Sequence, residues 1–315
     1  MPPHAKEKPA FRYTLATQKA ALRSTKDVRR LPDKIDGKLL AGTWNLTNFG
    51  HQDRSDDDLR LMAEVISWFD VIAIQEIADD LSKLRKLMTY LPGSFRVVLS
   101  DIGGNSERAG FFYDANRVQR LELAAEVAVP PKDHRYIRMK GVSGEYRGFD
   151  RNPYVVAFRA GGLEFSAVSA HLYYGGTTYV DLDRRTLEAY ALARWADLRH
   201  KAAGAYSNNV LVMGDMNLPK RDPSDNVYRA LTKRGLILPP HSTSVGGAVV
   251  SDAAYDQVGF QSSHMKQAFT GSVGVFDFDR APFFRAAWDR SEDYFFQSVK
   301  RHIADHRPLW IQFDT

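Results

Sequence analysis

The octet Val210-Leu211-Val212-Met213-Gly214-Asp215-Met216-Asn217 constrains the fold more than any other stretch of the chain. Four apolar or β-branched residues in a row read as a buried strand. Gly214 allows a tight exit, and two polar side chains follow at spacing two. Residues two apart in extended chain share one face, so Asp215 and Asn217 can address one small object, a hard cation or a phosphate oxygen. Taken alone, the pair reads equally well as a turn in which Asp and Asn bond to backbone.

The same arrangement recurs. Leu39 to Asn45 reads as a strand with Asn45 and Asn48 at its exit, and Val71 to Gln75 delivers Glu76. Leu163 to Ala170 ends on His171, Tyr255 to Phe260 carries Asp256, and Asp305-His306 precede a last strand, Leu309 to Phe313. One polar residue after a strand is usually structural. Six strand or loop ends with the same kind of cargo are much harder to assign to turn chemistry.

Helical spacing fills the intervals. Leu59, Met62, Ala63, Ile66 and Phe69 recur at it behind an acidic start, and Leu81 to Leu91 is stopped by Pro92-Gly93. A long helix follows Thr178 to about Lys201, and a short one covers Val227 to Leu231. Phe11 to Arg30 suits a surface helix better than a basic arm, while residues 1–10 are expected to be disordered. Phe95 to Leu99 pairs with Ala109 to Tyr113 around the loop Asp101 to Arg108, and Tyr154 to Phe158 pairs with the strand ending at His171. Leu121 to Val129 and residues 240–254 are weakly patterned, and 276–284 and 286–296 are aromatic, charged and of no clear period. Many adjacent strands have no helix between them, which excludes a simple βαβ series. Two mixed sheets face to face with helices outside satisfy the layering rules.

Charge and cysteine usage narrow the chemistry. There are no cysteines, which excludes disulfides, thiolate metal sites and a cysteine nucleophile. The net charge of +5 is concentrated at the start, where residues 1–38 hold ten Lys/Arg against four Asp/Glu. The rest is almost neutral, so the global balance is no argument for nucleic acid. Between Pro130 and Asn152, however, Lys132, Arg135, Arg138, Lys140, Arg147 and Arg151 make a cationic segment. It suits either a polyanion groove or a solvated loop. No apolar run reaches the length of a membrane span. Met1 to Lys8 lacks the apolar stretch of a secretory leader, so a cytoplasmic location is expected, with a secreted or periplasmic one open if a leader has been removed.

Asn45, Glu76 and Asp305 offer the oxygen ligands that hard divalent ions prefer. Two histidines remain for proton handling or for donating to phosphate oxygens, and Asp256 can orient one of them. Phosphodiester hydrolysis uses this inventory. There is no Walker phosphate loop, HExxH or GxSxG.

Six motifs in order carry a resemblance: Thr43-Trp44-Asn45-Leu46, Ile74-Gln75-Glu76, Ser169-Ala170-His171, Gly214-Asp215-Met216-Asn217, Tyr255-Asp256 and Ala304-Asp305-His306. From Leu39 to the C-terminus the chain resembles the endonuclease/exonuclease/phosphatase superfamily, of the deoxyribonuclease I-like kind. Asn105-Ser106-Glu107-Arg108 and Arg151-Asn152-Pro153 are similar to further motifs of the deoxyribonuclease branch. The resemblance implies a four-layer α/β/β/α sandwich of two mixed β-sheets flanked by helices. It implies a single catalytic domain over 39–315, preceded by a basic extension over 1–38.

For the site, the resemblance implies that His171 is a general acid supported by Glu107 and that His306 is a general base supported by Asp256. Glu76, Asp305 and Asn45 would hold the metal, and Asp215 and Asn217 would position water and phosphate. Arg151 would contact the phosphate backbone and Asn217 the phosphate; apart from the resemblance, the charges of Arg108, Arg147 and the basic leading segment could supply further backbone contacts. The cofactor implied is Mg²⁺, with Mn²⁺ or Ca²⁺ able to substitute or assist. The implied activity is non-specific endonucleolytic hydrolysis of DNA by a monomer that contacts the backbone. The alternatives are a phosphatase or phosphodiesterase acting on an inositol phosphate, phospholipid or nucleotide, and a catalytically inactive binding module. The chain departs from the pattern at Ala304, where the family often has Ser, and in lacking a leader and disulfides.

Overall fold

The computed structural model describes residues 13–241, 243–280 and 292–315. The expected disorder of residues 1–10, the first two residues of the helix expected from Phe11, and much of 276–296 fall outside them.

Among the described residues eleven strands form two mixed sheets. The first is ordered β10 (Phe269–Val275), β11 (Leu309–Asp314), β1 (Lys38–Phe49), β2 (Val71–Ala78), β4 (Glu107–Asp114) and β3 (Phe95–Leu99). The second is ordered β5 (Gln119–Glu126), β6 (Tyr154–Ala160), β7 (Leu163–His171), β8 (Val210–Asp215) and β9 (Asp256–Gln261). Each contains one parallel pair, β1 with β2 and β7 with β8, and the remaining pairs are antiparallel.

Alternation along the strands builds three apolar cores. Leu39, Ala41, Val71 and Ala73 meet Val156, Leu211 and Met213 between the sheets. Their neighbours Leu40, Trp44, Ile72 and Ile74 turn outward to α1 (Leu15–Val28), α2 (Asp56–Ile66), α3 (Ser82–Met88) and α7 (Glu292–His302). On the far side Val168, Ala170, Val210 and Val212 meet α4 (Tyr179–Lys201) and α5 (Asn226–Thr232). A short α6 (Ser263–Ala268) links β9 to β10. Because both strand faces are buried, the central strands read as continuous apolar runs. The result is the expected four-layer α/β/β/α sandwich.

Local signals set the helix starts. Ser55 and Asp58 form a reciprocal capping box on α2, Thr178 accepts from the Asp181 amide at α4, and Asp225 caps α5. The weakly patterned stretch from Leu121 proves to be strand β5. It lies at a sheet edge with most of its residues exposed, so no apolar run marks it.

The leading helix docks on the body. Lys19 and Arg23 pair with Glu64, Arg29 pairs with Asp277 at 2.6 Å, and Lys26, Lys34 and Lys38 each meet a carboxylate. These six cations are therefore engaged within the protein, against the expectation that the basic leading segment serves a substrate backbone.

Candidate active site

The site lies where one end of each sheet meets the other. In the second sheet, register puts His171 beside Asp215 and Asp215 beside Asp256 on β7, β8 and β9. Gly214 makes the close approach of β7 and β8 possible. Its φ is +145°, and a Cβ there would fall 1.9 Å from the Ala170 carbonyl oxygen. In the first sheet, pairing slips between Asn45 and Phe49 on β1 and between Ile74 and Ile77 on β2. Those irregularities aim Asn45 and Glu76 into the cleft, as bulges beside active sites do. A polar bridge joins the sheets just below: Gln75 donates to Ser169 Oγ at 2.9 Å, and Ser169 donates to the Ile74 carbonyl at 3.1 Å.

Above this bridge is an open cleft of about 660 Å³. Glu76, Glu107, His171, Asp215, Asn217, Arg151, Asp305 and His306 all line it. Asn45 and Asp256 are fully buried beneath them. The Asn45 amide nitrogen donates to Glu76 Oε1 at 2.8 Å and to Asp215 Oδ2 at 3.1 Å, while its oxygen accepts from the Thr47 amide. Asn45 thus turns its donor toward the cleft and clamps two carboxylates.

Glu76, His171 and Asp215 each offer one ligand atom within 4.8 Å of the others. The expected metal group of Glu76, Asp305 and Asn45 is arranged differently. Asp305 accepts from Thr47 Oγ1 at 2.7 Å and from Lys300 Nζ at 2.6 Å, so both its oxygens already have partners.

The two imidazoles differ. His306 Nδ1 is hydrogen-bonded to Asp256 Oδ2 at 2.7 Å, and its Nε2 lies 3.8 Å from Asp215. Burial opposes charge on this ring, but Asp256, Asp215 and Asp305 outweigh it and hold its pKa well above the usual imidazole value. Burial likewise opposes charge on Asp215, yet His306 and His171 keep its carboxyl below the ordinary range. His171 Nδ1 is 3.2 Å from Glu107 Oε2, without the alignment of a hydrogen bond, and its Nε2 is 3.6 Å from Asp215.

The arginines have partners inside the protein. Arg151 is buried and donates to the carbonyls of His171 and Leu172, both at 3.0 Å, which fixes the exit of β7. Asn217 donates to the same Leu172 carbonyl at 2.7 Å. Arg108 pairs with Asp79 and Asp101 and borders a small recess beside Glu107 and His171. Arg147 lies off the cleft, in a neighbouring cavity of about 410 Å³ against the first turns of α4.

Several contributors carry no sequence signal. Lys300 stands on α7 just past the stretch 286–296 that shows no clear period, and Tyr173, Tyr174 and Thr47 complete the wall. The buried Arg54 donates to the Leu46 and Thr47 carbonyls, both at 2.9 Å, and braces the exit of β1. Thr47, Asn48, Glu76, Asn105 and Asn217 line the cleft with positive φ, five of the nine such non-glycine residues among those described. Such backbone costs about 1–3 kcal/mol per residue and concentrates at functional sites.

Comparison with solved structures gives the fold its class. Danio rerio (D. rerio) TDP2 in complex with a single-stranded DNA product superposes with a TM-score of 0.59 at 14% identity, covering 89% of this chain and 100% of that one. An endonuclease/exonuclease/phosphatase family protein of Bacteroides thetaiotaomicron gives 0.53 at 14% identity over 88% and 94%. A mannosyl-6-phosphatase of the same organism gives 0.55 at 14% identity over 87% and 99%. No family model and no curated protein matches the chain. The chain shares the four-layer, deoxyribonuclease I-like fold of these structures, the fold that its motifs implied.

Proposed function

We propose that this protein is a divalent-metal-dependent phosphodiesterase that hydrolyses DNA internally and without strong sequence preference. The carrying observation is the convergence of Glu76, His171 and Asp215 beside a second imidazole that a buried carboxylate holds. The carboxylates of Glu76 and Asp215 suit a hard divalent cation, for which we take Mg²⁺ first with Mn²⁺ or Ca²⁺ able to substitute, while the imidazole of His171 suits a transition-metal ion as well. Glu76, Asp215 and His171 would hold it, and its chemistry there is polarisation of a phosphoryl oxygen.

The protein's own groups supply the rest. Asn45 fixes the two carboxylates, and Asp256 fixes the ring and tautomer of His306. The carboxylates around His306 favour its charged form, in which Nε2 can donate to a phosphoryl or leaving oxygen. The general-base role implied for it requires that this proton be displaced first. Arg151 and Asn217 hold the 171–172 backbone and so keep His171 at the cleft. The DNA product held by the similar D. rerio protein supports the nucleic-acid reading.

A second reading, hydrolysis of a small phosphate ester, is favoured by one feature. The cleft is rich in carboxylates, and its arginine and lysine, Arg151 and Lys300, are already held by protein groups. The similar mannosyl-6-phosphatase points the same way. The deciding experiment supplies supercoiled plasmid, linear single strands and small phosphate esters to EDTA-treated protein, then restores Mg²⁺. Nicked and then linear plasmid is expected. Turnover of a small ester alone would reject DNA as the substrate.

A further inference from the structure

The outer helical layer carries five cations outside the cleft that form one band: Arg135, Arg194, Lys233, Arg229 and Lys140. Arg135 and Arg194 both lie over the ring of Tyr136, at 4.8 and 5.3 Å from its centroid. Tyr190, one turn before Arg194 on α4, carries Lys233 at 5.7 Å. Lys233 shares a shallow groove of about 720 Å³ with Arg229 and Lys140, and Arg229 donates to the Lys140 carbonyl at 3.4 Å. Among the described residues none of these five has a carboxylate partner, whereas the cations of the leading helix are paired. Five neighbouring positive charges without counter-charges repel one another, and a bound polyanion removes that cost.

We infer that this band binds the phosphodiester backbone of duplex nucleic acid, as a surface separate from the catalytic cleft. The choice of nucleic acid rests on the function proposed above. The ring of Tyr136 already carries guanidinium groups and that of Tyr190 an ammonium, which leaves little aromatic surface for unpaired bases and favours backbone contact. Position favours it too. Arg184, near the start of α4, stacks on Tyr173 in the cleft wall. Arg194 is ten residues further along α4, about 15 Å at the α-helical rise. That distance spans roughly four base-pair steps, so a duplex entering the cleft can rest its flank on the band.

The test measures binding of a fluorescein-labelled duplex of about 30 base pairs to the full chain in EDTA, by anisotropy, over a salt series. The variant Arg194→Gln/Arg229→Gln/Lys233→Gln is expected to raise Kd about tenfold or more near 100 mM salt and to flatten the slope of log K against log salt by roughly three. A matched removal of exposed charges elsewhere, Arg85→Gln/Arg120→Gln/Lys266→Gln, is expected to change Kd less than about threefold, which excludes a bulk charge effect. Should the band variant fold poorly by circular dichroism, Lys233→Gln alone carries the test, with a slope change of about one. Unchanged Kd and slope in the band variant, or equal losses in the matched one, would overturn the inference. So would loss of binding to phosphatidylserine vesicles with duplex binding intact, since the band would then serve a membrane. Binding in EDTA needs no turnover. Failure of plasmid cleavage with band-dependent binding would sink only the hydrolase reading, and cleavage with band-independent binding would sink only this surface.

Discussion

At the scale of single residues, His306 and Asp256 make the sharpest statement. Three carboxylates outweigh burial and raise the pKa of this imidazole well above its ordinary value. A histidine whose pKa rises on folding stabilises the fold fully below its ordinary value, about 6.5, and loses that contribution as pH climbs through the raised value. Asp256→Asn should therefore bring the His306 pKa down toward that ordinary value, followed by NMR titration of metal-free protein, and should lower the rate about tenfold or more. An unmoved His306 titration would show that Asp256 is not what holds its proton. The sequence already exposed both residues, because each follows or opens an apolar strand and stands out against it. It did not expose what Asn45 and Arg151 do. Their residue types suit metal and phosphate, but partners more than twenty positions away in sequence, Glu76, Asp215 and the exit of β7, decide which way they turn.

Among elements, α4 is tied to the cleft by one buried acid. Glu188, fully buried, accepts from the amides of Asp150 and Tyr173, both at 3.1 Å, and so anchors two cleft-lining loops to the helix. Burial pushes its pKa from 4.5 up to about 7, against the pull of those amides and of Arg184. The folded protein then holds this proton to about pH 7, while the unfolded chain releases it near 4.5. Stability from this group is thus greatest at acid pH, falls as pH rises across that window and is level above it, a loss of about 3 kcal/mol. Between pH 5 and 8 the wild-type melting temperature should drop about 5 °C more than that of Glu188→Gln. Equal drops would remove Glu188 as the titrating group. The elements themselves were largely legible, because strands buried on both faces leave continuous apolar runs and the helices carry caps. Strand β5 was not, since an edge strand needs no such run, and neither was α7, which supplies Lys300.

For the whole molecule, charge is the governing quantity. The body is close to neutral and the leading helix has its cations paired, so attraction for a polyanion must come from the few cations left over. Cleavage of DNA should still fall about tenfold or more between roughly 50 and 300 mM salt, because each phosphate contact releases counterions. Flat activity over that range would argue for a small phosphate ester rather than a polyanion. The layered architecture was readable from strand order and two-sided burial, but the meeting of the two sheet ends was not, since that depends on the bulges in β1 and β2 and on the Gly214 approach. The left-handed residues around the cleft have a further consequence. Glycine at Asn48 or Asn217 would relieve torsional strain of about 1 kcal/mol while removing a side chain that shapes the reaction centre. A library enriched only for heat resistance would drift toward glycine there and lose turnover, so thermal and catalytic selection pull these positions in opposite directions.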